Sequence, residues 1–525
     1  MAAALKVLLV YPRFEGKSFW NYQATLEAVG KRYSNTPLGL ITVAAVLPGD
    51  WELRLCDCNV GELTDEDLAW AEVVFTGGML PQQTHALEVV ARARRLGAYT
   101  VVGGPDCTCS PDVYAAADLR VAGEVEAVVE PLVAAIRERR RGELVRAAGF
   151  PDVQTSPVPR FDLLRLERYL HVGVQFSRGC PYGCEFCNVI ELNGRRPRTK
   201  TPEQVLAELQ ALFDLGWRGH VDFVDDNFIG NRREAAALCA VLTPWLEGHG
   251  QPFEFSTEVS LNLADSPALL EALRRANFFA VFVGIETPDP AALAGAGKTH
   301  NLNRDIVEHV RAIQRAGLFV NAGFIIGFDA ETQSIARPMI DCIEAAAIPV
   351  CMVGLLYALP NTQLARRLAA EGRLEGVFDQ VVAGGGDADQ CTSGLNFRTR
   401  RPKAEALADY RHVLRDIYAP GAFFGRVRRM VRDMDLSANR CRQPLRLLLR
   451  DLRSFFRICV RAGFRDRATR GHYWRALLDA LLHNPRGLRT TVSMAALYLH
   501  LGPFAQTMDT LLEQRVAALP ELLPT

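Results

Sequence analysis

What this chain lacks narrows it first. It has no net charge, 60 basic residues balancing 60 acidic ones, so it offers no overall cationic surface of the kind nucleic acid requires. No stretch reaches the roughly 18 uninterrupted apolar residues of a membrane-spanning helix. The N-terminal MAAALKVLLVYPRF holds only a few apolar residues in a row and lacks a signal-peptide layout. A cytoplasmic protein is therefore expected, whose 13 cysteines are thiols or metal ligands rather than disulfides. Also missing are a G-x-G-x-x-G turn, which argues against a dinucleotide, and any Ser/His/Asp or Cys/His arrangement for nucleophilic catalysis.

What is present is 525 residues, 49% apolar, enough for about two to four domains. Residues 1–145 alternate β-branched runs (6–12, 52–57, 73–78, 99–105, 118–124) with helical stretches such as 38–47 and 83–97. That rhythm predicts a doubly wound, Rossmann-like α/β domain. Its ligand would sit at the carboxyl ends of the strands, where Gly77-Gly78 and Gly103-Gly104 fall. A linker is expected over 146–170, with a proline-rich stretch at 151–161. Six further strands (172–179, 220–226, 253–260, 279–286, 318–328, 350–357) alternate with helices and predict a partial (β/α)6 barrel over 171–380. Residues 381–525 read as an α-helical domain. The run Gly384-Gly385-Gly386 looks like a hinge leading into it. Between 421 and 470 lie 14 arginines and four aspartates among apolar residues. Such a pattern fits a solvated helical face packing on the barrel, peripheral contact with an anionic membrane, or a grip on an acidic partner.

Each barrel strand ends in something chemically useful, and the first ends in SRGCPYGCEFCN, residues 177–188. Cys180, Cys184 and Cys187 are one thiolate short of a closed zinc site, and no second ligand pair follows at a suitable spacing. A redox C-x-x-C would leave Cys180 idle. An iron–sulfur cluster with one open iron uses all three. The C-x-C pairs Cys56/Cys58 and Cys107/Cys109 read as incidental thiols, and the basic RRPRTK at 195–200 as a solvated loop or an anion partner.

The C-x3-C-x2-C spacing with Phe186 before the last cysteine, placed after the first barrel strand, resembles the radical S-adenosylmethionine (SAM) superfamily. The resemblance implies a 4Fe–4S cluster on Cys180, Cys184 and Cys187. Its open iron would chelate SAM, which is cleaved to a 5′-deoxyadenosyl radical. The SAM contacts it implies are Phe186, Asn188, Asp225, Asp226, Asn227, Glu258, Gly284, Ile285, Glu286 and Gly327. Where members often carry G-G-E, this chain has Asp225-Asp226-Asn227, which leaves the contacting atom open.

The Rossmann-like domain in front of such a barrel resembles the cobalamin-binding class. The phrases TPLGLITVAAVLP, DEDLAWAEVVFTGGM and VVGGP look like a subfamily with a helical C-terminal extension that includes hopanoid C-2 methylases. The implied cobalamin contacts are Thr36, Pro37, Leu38, Gly39, Thr76, Gly77, Gly78, Met79, Gly103, Gly104, Pro105, Gly123 and Glu124. After the first strand stands YPRFEGKSFW in place of D-x-H-x-x-G, and His85 lies too far along, so no histidine is expected on cobalt. The expected activity is a cobalamin-dependent C-methyltransferase on a small-molecule or lipid-like substrate, fed by a reductase or flavodoxin-type electron donor, with no nucleic acid. Cyclisation, rearrangement or oxidation with the same cofactors is the alternative, and a non-catalytic cobalamin or iron–sulfur sensor the second.

Overall fold

Runs of β-branched residues become strands at nearly every place where the pattern announces them. The structure is a computed structural model that describes residues 4–14, 18–375, 391, 393–437 and 445–518. The run Gly384–Gly386 and the 380/381 domain boundary lie outside the described residues.

The first sheet contains β1 (Lys6–Tyr11), β2 (Glu52–Asp57), β3 (Val73–Gly77), β4 (Tyr99–Gly103), β5 (Leu119–Ala122) and β6 (Glu143–Arg146). All pair in parallel, in the order β2-β1-β3-β4-β5-β6. Helices cover both faces, which is why β3 (VVFTG) is buried at every position. The chain leaves β1 toward β2 and returns to β3 on the other side, opening a crevice at the carboxyl ends of β1 and β3. The sequence does not announce β6: this four-residue edge strand has no buried position and no apolar alternation.

The second sheet is built from β7 (Val172–Val174), β10 (Gly219–Phe223), β11 (Phe253–Val259), β12 (Phe278–Glu286), β13 (Phe319–Ile326) and β14 (Val350–Leu355). Between β7 and β10 a short antiparallel pair, β8 (Ser177–Arg178) and β9 (Arg198–Thr199), brackets the cysteine loop. The six parallel strands stand in chain order and do not close, so the barrel is partial. Helices such as Pro202–Asp214 and Arg232–Gly248 cover its outside.

Helices Lys403–Ile417, Pro420–Asp433, Leu445–Val460, Arg470–His483 and Leu488–Ala518 follow. They are anchored through specific polar contacts. Arg426, fully buried, donates to the Ile348 carbonyl and pairs with Glu344. Arg489 forms a two-pronged ion pair with Glu254 at the start of β11. Thr25 Oγ1 donates to the Ala496 carbonyl at 2.7 Å, tying the chain's first helix to its last. No helix among the described residues is long and apolar enough to cross a membrane.

Candidate active site

The cysteine loop is held from three sides. Asp225, just past β10, accepts hydrogen bonds from the Phe176 and Ser177 amides and the Ser177 hydroxyl. Asp226 accepts from the Gly179 amide at 2.9 Å and from Asn193 at 3.0 Å. Arg367 clamps Glu185, inside the loop, with two bonds of 2.8 and 2.9 Å. Both aspartates thus fix the backbone on which the thiols sit. Burial raises the pKa of both, that of Asp225 to about 7.

Burial also raises all three thiols, Cys184 to about 11 and Cys187 to about 12. A buried cation, Lys298, works against this at Cys180 and Cys184. Lys298 pairs with Glu286 in the interior. Room for that pair comes from Gly284, where a Cβ would lie 2.5 Å from Glu286 Oε1 and 2.7 Å from Lys298 Nζ. A thiol set with a desolvated cation behind it fits a cluster whose ligands must be thiolates. Among the described residues no three His, Cys, Asp or Glu side chains converge on a single metal ion. Asn227 adds a buried Oδ1 without a hydrogen-bond partner, and its side chain lies beside Cys180.

Beside this loop, lined by Asn188 at its end but by none of the three cysteines, a cavity of about 1580 Å³ extends through the barrel. Glu258 faces into it and makes no side-chain hydrogen bond among the described residues. Its side chain is exposed to the open cavity, and desolvation by the surrounding walls, then the negative charges of Asp222, Asp226, Asp225 and Glu286, push its pKa up to about 8. Such a wall favours a cationic ligand. Farther along, Val281, Phe282, Phe319 and Met352 make the cavity apolar. At the amino ends of the strands it meets His171, His220, Glu254 and Arg489. There His220 bonds Ser256 at 2.6 Å, and Ser256 in turn donates to Asp222. Burial and the neighbouring His171 and Arg489 hold His220 well below its ordinary pKa, so this floor is hydrogen-bonding but uncharged at the imidazole.

Of the residues expected to touch SAM, Asn188, Asp225, Asp226 and Glu258 line the cavity. Phe186 packs edge-on to Phe328 instead. Asn227 and Ile285 are buried, and Gly284 and Glu286 serve the Lys298 pair. The Gly327 amide donates to Glu331. Of the residues expected to touch cobalamin, Thr36, Met79 and Pro105 line the cavity, together with Tyr11, Phe14 and Asp106. Pro37, Leu38 and Gly39 begin the helix behind Thr36, and Thr76 donates to Val10 inside the sheet. The glycine pairs let backbone approach backbone. A Cβ on Gly77 would collide with the Gly103 backbone, one on Gly104 would press on Gly78, and one on Gly78 would meet Gln82, so two loops meet here. The Gly123 amide donates to Thr108. Glu124 is committed elsewhere: Arg178 and Arg198, from the strands bracketing the cysteine loop, both pair with it. The basic cluster after the cysteines thus braces one sheet against the other, and its Lys200 is buried against Glu208. His85 accepts from the Arg13 amide at 2.9 Å, on the loop after β1.

Sequence reasoning missed Lys298. One signal existed: lysine supplies only six of the 60 basic residues, so a lysine just after an apolar stretch stands out.

The radical SAM superfamily model matches residues 174–343, and the domain of unknown function DUF4070 matches 362–514. The chain is 40% identical to an uncharacterized methyltransferase of Synechocystis sp. over 94% of its own length and 90% of the relative's. It is 38% identical to the hopanoid C-2 methylase of Rhodopseudomonas palustris, covering 80% of this chain and 78% of that one. Among solved structures it resembles the cobalamin-dependent SAM radical enzyme OxsB with aqua-cobalamin bound (TM-score 0.60, 14% identity, 96% of this chain and 84% of that one). It also resembles the radical SAM methyltransferase TsrM from Kitasatospora setae (TM-score 0.57, 17% identity, 94% and 99%). At those identities the likeness concerns the fold. The chain belongs to the radical SAM superfamily, in the methyltransferase subfamily with a helical C-terminal extension that includes the hopanoid C-2 methylase.

Proposed function

We propose that this chain is a cobalamin-dependent methyltransferase acting on an unactivated carbon of a lipid-like substrate. The observation that carries the reading is the single cavity joining three chemistries: the cysteine loop's acid-lined floor, the β1/β3 crevice of the first sheet, and a long apolar wall. In this reading Cys180, Cys184 and Cys187 hold a 4Fe–4S cluster, with Lys298 offsetting its charge. Glu258 and Asp226 face the cationic end of SAM. Tyr11, Thr36, Met79 and Pro105 cradle cobalamin, without a histidine on cobalt. When bound, the cluster supplies the electron that cleaves SAM into a substrate-oxidising radical, and cobalamin carries the methyl group. Electrons come from a reductase or flavodoxin-type donor.

The side chains do the remaining work. The apolar wall excludes water from a reactive carbon, and no base is needed at an sp3 centre. His220, Ser256 and Asp222 offer hydrogen bonds to a neutral polar end of an otherwise apolar substrate. The test is anaerobic incubation of reconstituted protein with methyl-labelled SAM and a lipid extract. Label in a lipid product supports the reading. Release of 5′-deoxyadenosine with an unlabelled altered lipid would mean cyclisation, rearrangement or oxidation. Absence of SAM cleavage would leave a sensor.

A further inference from the structure

The helices Leu445–Val460 and Arg470–His483, joined by a short π-helical turn at Arg461–Arg465, present an apolar face that the protein leaves uncovered. Phe456 is 68% exposed, Phe464 65% and Leu482 68%, far above what single surface hydrophobes need. Beside them Leu452, Phe455, Trp474, Leu478 and Leu481 are also exposed, and these same five line the large cavity. The patch is therefore continuous with the mouth of the chamber.

Its rim is cationic. Arg453, Arg457, Arg465, Arg467, Arg470 and Arg475 make no ion pair among the described residues. Two of the segment's three acids are engaged within the protein, and the third, Asp451, lines the cavity. Asp466 caps its own turn through Ala468 and Thr469, and Asp479 is held by Arg428 and Arg432. Unpaired guanidinium groups around exposed Phe, Leu and Trp match an interface with anionic head groups outside and acyl chains beneath. A second copy of the chain would bring like charges together, which disfavours self-association through this face. No described helix is long and apolar enough to span a bilayer, so these two would lie in its surface.

We propose that these two helices form a monotopic docking face on anionic phospholipid bilayers, and that the gap between them is the portal by which a lipid passes from the bilayer into the cavity. The proposal rests on the lipid-like substrate read above. It adds the route: Leu452, Phe455, Leu478 and Leu481 give an apolar path, so substrate never crosses water.

The test is flotation of the reconstituted full chain with vesicles of phosphatidylcholine alone and of phosphatidylcholine mixed with phosphatidylglycerol. Binding is expected to the mixed vesicles and to fall with salt. The double variant Phe456→Asp/Phe464→Asp and, separately, Arg465→Glu/Arg467→Glu should each lower partition about ten-fold or more, with SAM cleavage in solution unchanged. Absence of binding to either vesicle, or equal partition of wild type and both variants, overturns the proposal. So does light scattering that shows the wild type associating through this face and the variants not, or capture of an acidic protein in place of vesicles. The two readings fail separately. Vesicle binding without a methylated lipid removes the substrate and leaves the face. Methylation of detergent-dispersed lipid without vesicle binding removes the face and leaves the substrate.

Discussion

The two parallel sheets finish their strands differently. In the second sheet the strand ends deliver titratable groups: thiols after β8, Asp225 and Asp226 after β10, Glu258 in β11, Glu286 closing β12. In the first sheet the corresponding positions deliver shape. Gly77, Gly78, Gly103 and Gly104 bring two loops together, and Tyr11, Phe14, Met79 and Pro105 face the shared cavity. One half lines its strand ends with thiols and carboxylates, the other with small and apolar groups. That contrast can be broken at both ends.

The largest effect is expected at the loop. Cys184→Ala should abolish iron retention after reconstitution and bring 5′-deoxyadenosine formation down to background, read by iron analysis and chromatography. Next comes Lys298→Met, which strands Glu286 as an unpaired buried charge and should cost about 3–5 kcal/mol in denaturant unfolding. Adding Glu286→Leu should recover most of that loss. If the double variant is no better than the single, the pair is not the unit described here. On the first sheet, Gly77→Ala forces a Cβ against the Gly103 backbone and should cost about 1–3 kcal/mol. It should also lower corrinoid retention while leaving iron content intact.

The smallest effect sharpens the comparison most. Glu258 has a folded-state pKa of about 8, above that of an ordinary carboxylate, so the folded protein holds its proton more tightly than the unfolded chain. Its contribution to stability is therefore present at acid pH and lost as pH rises through about 8. Because Glu258 is exposed to the open cavity, solvent screens most of this in the SAM-free protein, so Glu258→Gln should change its stability little while weakening SAM binding about ten-fold, roughly 1.4 kcal/mol. In the wild type, SAM affinity should increase with pH toward the same value and flatten in the variant, as titration calorimetry would show.

Much of this was legible in the residues. Nine of the eleven expected principal strands match to within two residues at each end, and 220–226 lost three at its end, because parallel strands buried on both faces announce themselves as continuous β-branched runs. The sixth strand of that pattern, β7, shrank from 172–179 to three residues, since the chain must break ranks to form the β8/β9 bracket. The edge strand β6 carries no such run, and nothing marked it. Site residues divided by how local their cause is. Cys180, Cys184 and Cys187 share a short loop and could be read together. Lys298 reaches Glu286 across a bend of 12 residues, and the apolar wall is assembled from three separate strands, through Val281 and Phe282 of β12, Phe319 of β13 and Met352 of β14. Glycine pairs are ambiguous by nature: a missing side chain makes way equally for a ligand and for another backbone.

The bond from Thr25 to Ala496 spans 471 residues. Asn21, Tyr22 and Thr25 line the same chamber as Val492, Ala496 and Leu497. The chamber is therefore closed by segments far apart in the polypeptide, and during synthesis it stays unsealed until helix Leu488–Ala518 has emerged from the ribosome. A truncated or stalled product would present an unroofed barrel, unable to shield a radical from water.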